Sequence, residues 1–394
     1  MKQIILYAVM LALCSNLYSQ NTIKKVLSEI EKNNTTLTAI RKNIDAEKTH
    51  NKTGLLPQNP EVEFNYLWGD PSVIGNRTDF SISQSFDFPT AYSYKNQISD
   101  LKNGQAELEY QKHRMEIVRQ ARLVCIELTY QNALKTELRK RLHNANQLDY
   151  AYKSKFNLGE LGILEYNKVK LNLLNISKEL ETSEIDRKAL LSELARLNGG
   201  MTIGFSDSIF EPQNIPADFD QWYALAEQSN PVLQWIRQEV EISQKQVQLS
   251  SAMSLPKFSA GYMSETVIGQ QFQGVTAGIS IPLWENRNTV KYAKDRTHAL
   301  QSMETDIKLQ VYSEMKASHS RAIELQSSVT DYRDKLLAFS SAGLLEKALD
   351  KGEISLAEYL YEVSLFYESS KRLLDLELRQ QKAYAELYRY WNEE

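Results

Sequence analysis

The residue types that usually make or break bonds are present in this chain, but nothing in their spacing assembles them. His50, His113, His143, His298 and His319 are scattered, with no His-x-x-His and no matched acidic partner. Met303 and Met315 form no ligand set, and no Cys/His spacing suggests zinc, so no metal and no cofactor is expected. A nucleophile elbow, a phosphate loop and a metalloprotease helix are all missing, which argues against an enzyme. What does recur in order is acid. Glu61, Glu63, Asp79 and Asp87 alternate with apolar neighbours, and Glu165 and Glu358 each fall just beyond a glycine turn, at Gly159 and Gly352. A carboxylate in the first turn of a helix is favourable beside the helix dipole. Carboxylates on one face of a strand make either a solvated wall or a surface that tunes ion passage.

The elements that hold these acids come in two copies. Asn34, Leu37, Arg41, Pro60 and Tyr66 recur at one constant offset as Asn230, Leu233, Arg237, Pro256 and Tyr262. The Gly159–Tyr166 segment is answered by Gly352–Tyr359, and Glu193, Leu194 and Arg196 by Glu386, Leu387 and Arg389. Collinear blocks in one order point to a duplication. The expected organisation is a secretory leader at 1–20, a first repeat at 21–198 with a β-hairpin about 60–88, a linker at 199–220, and a second repeat at 221–394 with a β-hairpin about 256–283. Lys2 and the apolar run from Ile4 to Cys14 make the leader, with cleavage expected near Gln20; Cys14 leaves lipidation as an alternative. Without Lys2 the chain has 45 basic and 50 acidic residues, a net charge of −5. That balance excludes a nucleic-acid surface. Cys125 is then alone and cannot form an intramolecular bridge.

Within each half the pattern reads helix, strand, loop, strand, long helix, turn, helix. Val62, Phe64, Tyr66 and Trp68 alternate with Glu61, Glu63 and Asn65, and Phe80, Ile82, Phe86 and Phe88 with Asp79, Ser81, Ser83 and Asp87. The second half repeats this with Phe258, Ala260 and Tyr262, then Val275, Ala277, Ile279, Ile281 and Leu283, separated by loops at Gly69–Thr78 and Ser264–Gly274. Such strands have one apolar face, which either packs on the protein's own helices or faces lipid. After the leader no apolar run reaches the roughly 18 residues of a spanning helix, so insertion would have to use strands, and four strands cannot close a barrel alone. Three chains would supply twelve. Trp68 suits an interface girdle; Trp222, Trp235, Trp284 and Trp391 are expected to pack or to anchor at interfaces.

From about Asn288 to Leu349 one glycine interrupts a helical pattern, with Ala322, Leu325, Val329, Tyr332, Leu336 and Phe339 at three-four spacing. Leu356, Leu360, Val363, Tyr367, Ser370 and Leu374 resume it after Gly352, predicting an antiparallel hairpin. About sixty helical residues would extend roughly 90 Å. Pro89 and Pro282 are expected to turn strand abruptly into helix. By itself this pattern also suits a periplasmic coiled-coil scaffold.

The duplication, the tips Leu158-Gly159-Glu160 to Glu165 and Lys351-Gly352-Glu353 to Glu358, and the strands leading into Phe88-Pro89 and Ile281-Pro282-Leu283 together resemble the TolC-like outer-membrane efflux family, the exit ducts of tripartite pumps. The resemblance implies a mainly α protein with membrane β: a homotrimer forming a 12-stranded barrel in outer-membrane lipid, continued by a helical coiled-coil tunnel in the periplasm. It implies as partners a periplasmic membrane-fusion adaptor and an inner-membrane pump of the resistance-nodulation-division type, with small molecules or metal cations as cargo. Gly159 and Gly352 match the family's adaptor-docking tips. Glu165 and Glu358 fall where the family places entrance acids, so that Glu358 would form a cation-favouring ring in a trimer, or else serve only its helix end. Glu160 and Glu353 follow the tip glycines, where drug-exporting members often carry a basic residue. Glu61, Glu63 and Asp79 would face the barrel lumen. A duct for protein secretion would share this architecture.

Overall fold

The computed structural model describes residues 22–339 and 342–390. The expected leader, with Lys2 and Cys14, and Trp391 lie outside them. Helix α1 (residues 22–33) is separated from α2 (Thr35–His50) by Asn34. Strand β1 (Glu61–Leu67) runs through a loop with a single 3-10 turn, Ser72–Ile74, into β2 (Arg77–Phe86). Then come α3 (Pro89–Asn157), of 69 residues, and α4 (Ile163–Leu197). A strap leads to α5 (Phe219–Ser229) and α6 (Pro231–Met253), followed by β3 (Lys257–Val267) and β4 (Gln270–Ser280). The chain ends in α7 (Thr289–Ala338), α8 (Ala342–Asp350) and α9 (Leu356–Leu387). The order helix, two strands, long helix, returning helix occurs in both halves.

Helix starts follow local chemistry. Asn34 Oδ1 accepts the Leu37 N–H at 2.8 Å and its amide donates to the Leu197 carbonyl at 2.7 Å. Asn230 caps α6 by accepting from the N–H groups of Val232 and Leu233, with Pro231 at the first helical position, where no N–H is needed. Both asparagines are buried. Pro89 opens α3, as its ring predisposes it to. Pro282 does not open a helix: α7 starts seven residues later, at Thr289, because an irregular segment follows β4. The long seam is also broken, since α7 ends at Ala338 and α8 starts at Ala342, ahead of Gly343.

The chain divides into two compact units. Unit 1 takes the residues up to Thr38, His113–Glu227, and those from Tyr312 onward; unit 2 takes Ala39–Lys112 and Gln228–Val311. In unit 1, Ile30 of α1, Ala121, Cys125 and Leu128 of α3, Leu194 and Leu197 of α4 and Phe205 of the strap form one apolar core. Burial pushes the Cys125 thiol up to about 12. Charged and aromatic ties join α3 and α4 to α9 in this unit: Tyr130 Oη donates to Asp375 at 2.7 Å and Lys371 Nζ to Glu179 at 2.6 Å. The buried Arg141 guanidinium lies 4.1 Å from the Tyr367 ring centroid and donates to the Tyr367 carbonyl at 3.1 Å. Burial raises the Tyr367 phenol, with Arg141 opposing.

In unit 2 the buried Ile44, Ile98, Leu233, Ile236 and Ala293 supply apolar packing, and Ser243 and Thr297 share a buried hydroxyl contact of 2.8 Å. Arg41 and Lys48 of α2 both reach Glu107 of α3, at 2.9 and 2.8 Å. Arg237 stands 4.0 Å from Glu304. Unit 2 also carries the sheet, a four-stranded antiparallel meander in the order β1-β2-β3-β4.

Candidate functional site

Direct cross-strand partners share a face of a sheet, so the register sorts the residues. One face holds the rows Phe64–Phe80–Ser264–Gln273, Val62–Ile82–Tyr262–Val275, Gln84–Ala260–Ala277 and Phe86–Phe258–Ile279. Its apolar side chains are exposed, from 37 % at Phe80 to 90 % at Val275, so this face is not packed under the chain's own helices. Trp68, beyond the top of β1, meets Tyr66 edge-on at 5.7 Å, and Trp284, past the opposite end of β4, is equally bare. Monomeric soluble proteins rarely leave so large an apolar area uncovered. Among the described residues the outer edges of β1 and β4 have no strand partner either.

The other face carries the acids. Glu61 stands opposite Ser83 and Glu63 opposite Ser81, while Asn65, Asp79, Glu265 and Phe272 form one row. Arg77 Nε lies 2.8 Å from Asp79 and 3.1 Å from Glu265. Asp87, just past β2, pairs with Lys95 at 2.8 Å. The sequence alone does not mark Glu265, because Ser264–Gly274 reads as a loop. Instead β3 runs to Val267, and Ile268 and Gly269 alone make the turn, both at positive φ. Ser264 and Thr266 on either side of Glu265 are polar, so no alternation marks the strand here. Gly261 is required by its surroundings, since a Cβ there would sit 2.4 Å from the Ile82 carbonyl oxygen.

The second group of residues sits at the two helical turns of unit 1. Gly159 (φ 72°) and Gly352 (φ 74°) take the left-handed conformation that glycine adopts without strain. In the first turn Phe156 stacks on Tyr166 at 5.2 Å; Glu160 is exposed, and Glu165 is exposed in the first turn of α4. At the second, Glu353 lies 3.8 Å from Lys351, both exposed. Glu358 is held in a capping box: its carboxylate accepts the Ser355 N–H at 2.8 Å while Ser355 Oγ accepts the Glu358 N–H at 3.2 Å. The Ser355 backbone bond keeps the Glu358 carboxyl below the usual range. Gly162, at the equivalent start of α4, offers no side chain for such a box. The two turns are neighbours. Tyr152 of α3 is raised by burial and then by the charges of Glu165 and Asp350, and Tyr359 by burial and by charges that include Glu346 and Asp350.

Among the described residues no group of three or more His, Cys, Asp or Glu comes together as a metal site. His319 is buried, with Nε2 2.6 Å from the Pro216 carbonyl, beside Phe219. No described helix is long and apolar enough to cross a membrane.

No protein-family model matches the chain. It is 23 % identical over 324 residues to the alkaline protease secretion protein AprF of Pseudomonas aeruginosa, covering 74 % of this chain and 67 % of that protein. Among solved structures it is similar to CusC, described in the context of transmembrane channel formation, with a TM-score of 0.77 at 15 % identity over 94 % of this chain and 92 % of that one. The outer membrane protein VceC of Vibrio cholerae matches at 0.74 and 13 %, over 94 % and 96 %. The CmeC outer membrane channel of Campylobacter jejuni matches at 0.70 and 14 %, over 93 % and 85 %. At these identities the likeness is one of fold, and it spans nearly the whole chain: the protein has the fold of the TolC-like outer-membrane channels.

Proposed function

We propose that the chain is the exit duct of a tripartite export system, a trimer whose sheets close a 12-stranded barrel in the outer membrane and whose helices form a periplasmic tunnel. The carrying observation is the sheet: one exposed apolar face, an acidic opposite face and two edges with no strand partner among the described residues. A periplasmic scaffold would bury that apolar face on its own helices. In lipid every backbone group must find a partner, and four strands achieve this by joining those of other copies. The chain is then two duplicated sequence repeats, 21–198 and 221–394, joined by the 199–220 linker, each contributing to both compact units.

In this reading cargo, small molecules or metal cations, is delivered by an inner-membrane pump through a periplasmic adaptor that docks at the turns of Gly159 and Gly352. Glu165 and Glu358, with Glu160 and Glu353, line the periplasmic entrance, and Glu61, Glu63 and Asp79, joined by Glu265, line the barrel lumen. The duct is passive. Fixed negative charge in a narrow passage favours cations. The capping box favours the charged form of Glu358, so the carboxylate can supply charge even while it serves its helix. The likeness to AprF, a protein-secretion component, favours a second reading in which the same duct passes polypeptide.

Fractionation of expressing cells and mild-detergent sizing test the proposal. A trimer in the outer membrane is the expected result, and a soluble monomer would overturn it. Single-channel recording then tests Glu358→Gln, for which a reduced cation preference is expected; an unchanged preference would remove the entrance ring.

A further inference from the structure

The edges of the sheet leave one question: how one copy's β4 meets the next copy. In a ring of copies related by rotation about the membrane normal, every β1 runs the same way. β4 runs opposite to β1 in the meander, so only β4 against a neighbour's β1 continues the antiparallel order. This rests on the duct reading above; what the structure adds is the register.

The apolar residues of the exposed face do not lie in one row. On β1 they are Val62, Phe64 and Tyr66, with Trp68 beyond the strand; on β4 they are Val275, Ala277 and Ile279, with Ile281 and Leu283 beyond it. The row through Phe64 meets β4 at Gln273, and the row through Tyr66 meets it at Gln271, both polar. On β4 the apolar stretch is centred on Ala277, about four residues further along the strand. The band is therefore diagonal to the strands. Hydrocarbon is a level slab, so the strands must lean. About four residues at ~3.3 Å, over three spacings of ~4.8 Å, give an inclination of about 43°, inside the range of spanning barrels.

The same slope carried one strand further, four thirds of a residue per spacing, displaces the neighbour's β1 by about 5.3 residues from its own row. The displacement must be even, because an odd one would turn the neighbour's apolar face into the lumen. Six is the nearest even value, and the apolar residues beyond the strand ends, Trp68, Ile281 and Leu283, steepen the slope toward it. We infer that Ile279 of one copy stands opposite Phe64 of the next, with Ala277 opposite Tyr66 and Ile281 opposite Val62. Ser264, Thr266, Gln271 and Gln273, polar on the outward face at the loop end, then lie above the hydrocarbon beside the headgroups.

Pairs of cysteines test this in the full-length chain, expressed and held in the outer membrane. Cys125 is fully buried and will not compete. Phe64→Cys is combined in turn with Gln273→Cys, Ala277→Cys, Ile279→Cys and Ile281→Cys, and treated with a short bis-alkylating thiol reagent. All these positions are exposed, and Val62→Cys with Ile281→Cys repeats the predicted register independently. The expected result is a covalent dimer and trimer ladder, several-fold stronger for Ile279 than for any other partner of Phe64, and matched by the Val62 pair. A maximum at Gln273, Ala277 or Ile281 would overturn the register while leaving the ring intact. No ladder with any partner, in a chain recovered from the soluble fraction, would overturn the duct reading and the register with it.

Discussion

Ile82 is the position at which the proposed membrane face can be tested most directly. It stands in the row Val62–Ile82–Tyr262–Val275, apolar on all four strands, while its neighbour Ser83 points the other way, opposite Glu61. If the apolar face meets lipid, Ile82→Arg places a cation in hydrocarbon at a cost of about 2–3 kcal/mol per copy, near the lower end of the midplane range for barrel strands. A threefold ring incurs it three times, about 6–9 kcal/mol, which is more than about ten-thousandfold in assembly at 1.4 kcal/mol per decade. If the face were merely solvated, the same substitution at a side chain already 40 % exposed would cost within about 0.5 kcal/mol. Ser83→Arg should cost little in either case, since its guanidinium can reach Glu61. The assay is the yield of detergent-stable trimer from the outer-membrane fraction, followed by urea unfolding of what assembles. Ile82→Arg should be nearly absent and Ser83→Arg near parental. Equal recovery of the two variants would refute the assignment of faces.

Three further outcomes follow from the helices. Ser355→Ala breaks the capping box and should cost about 1 kcal/mol, read as about fivefold faster amide exchange in the first turn of α9. Protection unchanged there would mean the box contributes nothing. Glu107, drawn down to about 2 by the hydrogen bonds of Arg41 and then Lys48, is a depressed carboxylate. Its contribution is present above its unfolded value near 4.5 and is lost as pH falls toward 2. With about a third of the side chain exposed, that contribution is about 0.5–1 kcal/mol. Glu107→Gln should thus melt below the parent at pH 7 and with it near pH 2; a gap that persists in acid would assign the effect to packing. Arg141→Ala should cost about 2–3 kcal/mol, because the buried guanidinium both stacks on Tyr367 and bonds its carbonyl. A double-mutant cycle with Tyr367→Leu should give a coupling near 1 kcal/mol, and strict additivity would dismiss the contact.

The strands are legible in the sequence where one face is greasy and the other polar, as at Val62–Tyr66 and Val275–Ile279. They become illegible where both faces are polar. Ser264 to Gly274 reads as a loop because Ser264, Thr266, Gln271 and Gln273 erase the alternation, yet the structure continues both strands to a two-residue turn at Ile268–Gly269. Backbone pairing across the hairpin extends β structure there without help from side-chain polarity. Glu265 was hidden for the same reason. The helical seam is readable at Ala322 and Val329, both buried, but fades at Phe339, which is 76 % exposed beside the break that ends α7. Periodicity reports which side chains could be buried and does not locate a helix end within a run of good helix formers. The Ser355–Glu358 box was present in the letters as Ser-x-x-Glu; its other role, as a charge at an entrance, belongs to an assembly that one chain does not contain.

The order in which the chain visits its two compact units bears on how it can be made. It begins in unit 1, passes to unit 2, returns, visits unit 2 again and ends in unit 1. The sheet is half built when β2 emerges and waits for β3, more than 170 residues later. Unit 2, which carries the sheet, is complete only when Val311 has been synthesised, and unit 1 only when the residues from Tyr312 onward have followed, so for most of its synthesis the nascent chain has no finished domain to shelter its apolar strands. Until β3 emerges, the apolar face and the inner edge of β2 stay open, which is the condition that favours aggregation of a nascent chain. A product truncated before Gln228 therefore contains neither unit whole.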